Sequence, residues 1–107
     1  MALLTTSAAY GQPATLKDAF QGIFRIGAAL NQAEFEEKDA RDVAIVAAQF
    51  NTISPENALK WEPIHPQPGT YNFGPADQYV AFGVKYKMFI VGHNLILDGG
   101  NFNSSIA

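Results

Sequence analysis

The chain has 107 residues, 48% of them hydrophobic and 16% charged, with a formal net charge of −3 and no cysteine. This is the size of one small domain or of a piece of a larger one, with a globular rather than a disordered composition. The acidic balance gives no basic field to hold phosphates, which argues against nucleic acid as a partner, and the missing cysteines exclude a disulfide framework, a thiolate zinc site and a thiol nucleophile.

Residues 1–13 are small, mildly apolar and uncharged. They read as the last part of a secretory signal that lacks its positive start, or as a disordered leader, and are set apart from the fold. No run approaches the roughly 18 to 20 apolar residues of a membrane span, so no membrane partner is expected. Thr15 then caps a short helix over 15–21, and "IFRIGAALN", 23–31, reads as a strand ending in an amide. The next stretch, 32–50, predicts one helix. Glu34, Glu36 and Glu37 load its first turn with negative charge, and Glu34–Lys38 and Glu37–Arg41 are i,i+4 pairs in the favourable order. Val43, Val46, Ala47 and Phe50 supply its apolar stripe.

"QFNTIS", 49–54, predicts a second strand closed by Pro55. Ser54-Pro55-Glu56-Asn57 then has the form of a helix start: Ser54 as cap, Pro55 in the first helical position, Glu56 at the positive end of the dipole. Lys60 taken alone is a solvated cation, and Trp61 taken alone is a packing residue. "EPIHPQPGTYNFGP", 62–75, is an irregular connection with four prolines, in which His65 looks incidental. From Pro75 a further helix places Ala76, Tyr79, Val80, Gly83 and Tyr86 on one face. "MFIVGHNLI", 88–96, is a third strand whose apolar run suits burial on both faces. Residues 97–107, rich in Gly, Asn and Ser, read as a loose tail.

This alternation predicts an α/β fold with about three parallel strands and two crossover helices. Each strand turns polar at its C-terminal end: Asn31, then Glu56 and Asn57, then His93 and Asn94. Ligands of α/β sheets and barrels sit at that end.

Four motifs, "PENALKWEPI", "PQPGTYNF", "AD" and "GHNL", stand in order over residues 50–96, with "LKDAFQGIFRIGAALN" upstream. Residues 15–96 thereby resemble the N-terminal third of a glycoside hydrolase family 10 endo-β-1,4-xylanase. The resemblance implies a partial TIM (β/α)8 barrel over residues 14–96 and a retaining glycosidase acting on xylan or xylo-oligosaccharides. It also implies that Glu56, Asn57 and Lys60 hydrogen-bond xylose units on the non-reducing side of the cleavage point, and that His93 lines the sugar site at the bond to be cut. Sugar hydroxyls need donors and acceptors together, which an acid, an amide and a lysine supply.

Retaining hydrolysis uses two carboxyl groups about 5 to 5.5 Å apart and neither metal nor organic cofactor. In the family both glutamates come from later strands, so no catalytic residue is assigned here and the chain alone is expected to be inactive. After "GHNLI" the resemblance stops: Leu97 and Asp98 stand where the family has tryptophan and histidine. A barrel of this kind takes eight strands, so three leave an open edge and an uncovered face, a template for self-association. The resemblance places the activity outside the cytoplasm, secreted or periplasmic. Two other readings stand beside the inactive enzyme segment: a weak xylo-oligosaccharide-binding module, and an unrelated small α/β interaction domain.

Overall fold

A computed structural model of the chain describes residue 11 and residues 14–94. Its elements are α1 (Leu16–Ala19), β1 (Gly27–Leu30), α2 (Gln32–Phe35), α3 (Ala40–Gln49), β2 (Thr52–Pro55), α4 (Trp61–Ile64), α5 (Gly74–Lys85) and β3 (Phe89–Ile90). The strands form one sheet in the order β1-β2-β3 with both pairings parallel, Ala29 opposite Ser54 and Ile53 opposite Ile90. The expected leader and tail, and the end of the third strand at 95–96, lie outside the described residues.

Among the described residues the sheet has one covered and one bare face. Leu30 and Ile53 are almost wholly buried, and with Ala28 and Ile90 they pack against Phe35, Val46, Tyr79 and Phe82 from the helices. The alternate side chains point the other way. Phe89 is 51% exposed and Val91 37%, and the Arg25 guanidinium lies 4.2 Å above the Phe89 ring. Parallel strands are ordinarily buried on both faces, so this surface is half of a core.

Helix α5 holds the covered face together. Gly83 lies against the sheet so closely that a Cβ there would stand 2.4 Å from Ile90 Cγ1. One turn earlier the buried Tyr79 hydroxyl reaches two carbonyls, Ile53 O at 2.8 Å and Val91 O at 2.9 Å. Burial pushes the Tyr79 phenol up to about 12. The face predicted for this helix is right at Ala76, Tyr79 and Gly83, but Phe82 is buried where Val80 was expected, and Val80 is exposed.

The predicted helix over 32–50 is two helices. Asn31 caps α2, its side chain accepting from the Ala33 and Glu34 amides while the Glu34 carboxylate accepts from the Asn31 amide, a reciprocal capping box. The chain then turns at Glu37, with φ of 59°, and restarts at α3 under an Asp39 cap. The expected i,i+4 pairs therefore do not form. Lys38 pairs with Glu36, Arg41 with Asp39, and Glu37 reaches across to Lys85 at the end of α5 and to Tyr86 just after it. Two good N-caps in one acidic stretch outcompete a single long helix. The stripe of Val43, Val46, Ala47 and Phe50 does face the core.

Ser54-Pro55 does not start a helix either. Both residues belong to β2, and the next helix begins six residues later, at Trp61. Thr52 and Glu56 donate to the Ile26 and Leu30 carbonyls on the β1 side, whereas Pro55 falls in the alternate set that faces β3. Regular pairing with β3 has ended by Ile53, so its missing N–H breaks no ladder bond. The strands are also shorter than predicted: β1 covers 27–30 of 23–31, and β3 covers 89–90 before the chain becomes irregular at 91–94.

Tyr79→Phe tests the α5 anchor. Ile53 O keeps a bond from the Val91 amide at 2.9 Å, but Val91 O loses its hydroxyl partner, which costs about 1 to 3 kcal/mol in urea unfolding at neutral pH. The folded-state pKa lies above the unfolded value of about 10, so this stabilisation is complete below about pH 10 and lost as pH rises through about 12. The variant is expected to show a shallower alkaline loss of stability than the parent.

Candidate functional site

The carboxyl ends of β1 and β2 are tied together by the Glu56 amide, which donates to Leu30 O at 2.9 Å. Directly beyond, residues 56–60 form bends and turns rather than a helix. Glu56 is exposed with its backbone held in the ladder. Asn57 is exposed, and its Oδ1 accepts a hydrogen bond of 2.8 Å from Lys60 Nζ, while the Lys60 amide donates to Asn57 O at 2.9 Å. Two bonds between the same two residues close a compact turn. The three polar residues read from the sequence are therefore brought together, mounted on a strand end and not on a helix start. His93 stands at the same end of the sheet, in the irregular segment after β3, and is exposed.

Two recesses flank this cluster. One, of about 180 Å³, lies between the β1 and β2 ends and is lined by Asn31, Gln32, Asn57, Ala58, Pro63 and Pro75. The other, of about 310 Å³, is mostly apolar, lined by Leu59, Ile64, Phe73 and Ala76 together with Gly92 and Asn94, which bracket His93. Of the four predicted site residues only Asn57 lines either one; Glu56 and His93 are exposed and Lys60 is half-buried. Among the described residues no group of three His, Asp or Glu side chains is arranged to hold a metal ion, and no helix is long and apolar enough to cross a membrane.

His65 is the residue the sequence reading misplaced. It is buried, with Nδ1 2.7 Å from Thr70 O. A carbonyl can only accept, so Nδ1 carries the proton. The imidazole stacks on Tyr71 at 4.3 Å and 4°, Tyr71 stacks in turn on Phe73, and Trp61 meets the imidazole edge-on at 4.9 Å. This cluster, with a Gln67–Thr70 bridge and the Asn72 amide on Ile64 O at 2.7 Å, folds the proline-rich connection onto itself. The signal was present in the spacing of the aromatic residues around His65, but pairing across a loop has no period to read.

The model of Glycosyl hydrolase family 10 matches residues 15–99. A beta-1,4-xylanase of Dictyoglomus thermophilum is 39% identical over 82 residues, which are 77% of this chain and 22% of that protein. Among solved structures, a GH10 endoxylanase retrieved from a sugarcane soil metagenome superposes with a TM-score of 0.72 at 43% identity, covering 78% of this chain and 25% of that one. Xylanase 10B from Thermotoga petrophila, solved in complex with xylobiose, gives a TM-score of 0.74 at 29% identity over 84% of this chain and 28% of that one. The chain thus spans about a quarter of the length of the proteins it matches.

Trp61 is the chain's one tryptophan and reports on the His65 cluster. His65→Ala leaves Thr70 O without its donor and opens a cavity beside the indole. The expected result is a red-shifted Trp61 emission, faster exchange of the Thr70 and Asn72 amides, and a stability loss of about 1 to 3 kcal/mol; unchanged emission would show that the cluster does not order the connection.

Proposed function

The chain belongs to glycosyl hydrolase family 10, and from that premise we propose that it supplies the sugar-binding floor on the non-reducing side of an endo-β-1,4-xylanase cleft. Its frame is that of a partial (β/α) barrel, whose functional end is the carboxyl edge of the strands. The observation that carries the reading is the closed turn at that edge, in which the Lys60–Asn57 bond gathers an acid, an amide and an ammonium beside β2. The ammonium spends one of its three protons on Asn57 and keeps two for sugar oxygens. Asn57 spends its carbonyl and keeps its NH₂ group. Glu56 brings an acceptor to hydroxyl donors. His93, after β3, is assigned to the ring at the bond to be cut, and xylan or its oligosaccharides are the ligand, met outside the cytoplasm.

The chain alone is proposed not to hydrolyse xylan. Glu34, Glu36 and Glu37 are occupied in a capping box and in bonds to Lys38, Lys85 and Tyr86. Glu56 and Glu62 lie on one connection, whereas the acid and the nucleophile of a retaining enzyme must flank the scissile bond.

An amide-resolved NMR titration with xylotriose tests this. Shifts confined to the surroundings of Glu56, Asn57, Lys60 and His93, with millimolar affinity, are expected. Lys60→Ala weakens binding about tenfold or more, since a hydrogen bond from a charged donor contributes about 1.5 to 3 kcal/mol. Release of reducing sugar from xylan by the chain alone would overturn the assignment of catalysis to residues it does not contain.

The bare sheet face is the second consequence of a partial barrel. Phe89, on the edge strand β3, and Val91 just after it expose this face beside a strand edge that is unpaired among the described residues, and self-association through them is proposed. Light scattering behind size exclusion should show mass rising with loading concentration, and Phe89→Asp should return the chain toward a monomer; a monomer at all concentrations would refute it.

A further inference from the structure

Regular pairing of β2 with β3 ends at Ile53, and a helix side chain stands where the next donor would be. Successive bonds on this side run from the Phe89 amide to Asn51 O and from the Val91 amide to Ile53 O, each at 2.9 Å. The register sets Ile53 opposite Ile90. In a parallel ladder at that register, amides of alternate β2 residues answer the β3 carbonyls, so one further step would bring the residue-55 amide to Val91 O. Residue 55 is proline and has no N–H to give. Val91 O accepts instead from the Tyr79 hydroxyl, at 2.9 Å. The hydroxyl also lies 2.8 Å from Ile53 O, but that carbonyl already accepts from the Val91 amide. A phenol has one proton, and the carbonyl left without a β2 amide is Val91 O. Tyr79 is fully buried, and burial pushes its phenol up to about 12, so the proton stays in place at neutral pH.

We propose that Tyr79 is a positioning residue for the carboxyl edge: its hydroxyl replaces the N–H that Pro55 lacks, and so fixes His93 relative to the turn of Glu56, Asn57 and Lys60. The inference rests on the reading of that edge given above and extends it. Pro55 directly precedes Glu56, and Val91 stands two residues before His93. The bond therefore joins the roots of the two halves of the site. On the other flank of β2 the Glu56 amide does the corresponding work, donating to Leu30 O at 2.9 Å. A ligand that touches both halves meets a preset spacing and loses less conformational entropy in ordering them. Tyr79 does this without touching the ligand, through the main chain of β2 and of the segment after β3.

The test is a double-mutant cycle of Tyr79→Phe and Pro55→Ala in the whole chain, read by NMR titration with xylose and with xylotriose. Tyr79→Phe removes the hydroxyl, and Pro55→Ala supplies an N–H at the position the hydroxyl serves. In Tyr79→Phe the xylotriose shifts at Glu56 and Lys60 are expected to persist while the His93 shift shrinks. Affinity for xylotriose falls about fivefold, the effect of roughly one hydrogen bond. Binding of xylose, a single ring that does not span both halves, is unchanged. Adding Pro55→Ala to Tyr79→Phe restores the His93 shift and most of the lost affinity, and the new residue-55 amide exchanges slowly with solvent. A role in packing alone predicts no rescue, since the added N–H replaces no part of the ring. If Tyr79→Phe does not fold, recovery of folding by Pro55→Ala supports the replacement and its failure refutes it. If Glu56, Lys60 and His93 respond together in Tyr79→Phe at the parent's affinity, the positioning role is refuted and the reading of the edge stands. If neither sugar moves Glu56 or Lys60 in the parent, both fall together.

Discussion

The close approach of α5 to the sheet governs the geometry of everything at the carboxyl edge. Gly83 lets the helix sit nearer to Ile53 and Ile90 than any residue with a Cβ could, since that carbon would stand 2.4 Å from one and 3.1 Å from the other. Glycine inside a helix costs about 1 kcal/mol against alanine, and here the close packing offsets it. At that distance Tyr79, one turn earlier, can place a single hydroxyl on the carbonyls of Ile53 and Val91. One helix thereby fixes where β2 and β3 stop relative to each other. The connections that begin at those two points, and the polar residues they carry, inherit a fixed separation.

The turn after β2 shows how little chain is needed to build a polar site once its root is fixed. Glu56 is held through its amide by the Leu30 carbonyl, and the Asn57–Lys60 pair is closed by one backbone and one side-chain bond. Neither side chain has to be ordered by a ligand, so less conformational entropy is lost when one arrives. The aromatic cluster around His65 does the corresponding work farther along the connection, anchoring the proline-rich stretch at a buried imidazole.

Much of this was legible in the sequence because it rests on local or periodic signals. The order of strands and crossover helices, the stripe of Val43, Val46, Ala47 and Phe50, and the Thr15 cap follow from spacing and from single residues. The polar endings of the strands pointed to the carboxyl edge of the sheet, where Glu56, Asn57 and Lys60 stand together after β2. What escaped depends on competition or on contacts across a loop. Asn31 and Asp39 each cap well, and the sequence alone does not show that two caps will divide one amphipathic stretch. Ser54-Pro55 satisfies the chemistry of a helix start, but the same proline fits a strand where no partner asks for its N–H. His65 between prolines gave no hint of burial, because its partners Trp61, Thr70 and Tyr71 are brought to it by folding.

The outer edges of β1 and β3, which pair with no further strand among the described residues, also carry an arithmetic. Copies of this unit that kept the parallel pairing of its own strands would join the β3 edge of one to the β1 edge of the next, head to tail. A ring built this way contains three, six or nine strands. The curvature of the unit matches that of barrels with eight, and strand number, tilt and diameter are linked in any closed barrel. Eight is not a multiple of three. Copies that keep their native curvature therefore meet with a gap or an overlap, and a head-to-tail contact that fails to close leaves both ends open to further addition. Copies joined in this way would grow open-ended, whereas a piece that contributes five strands would complete the circle.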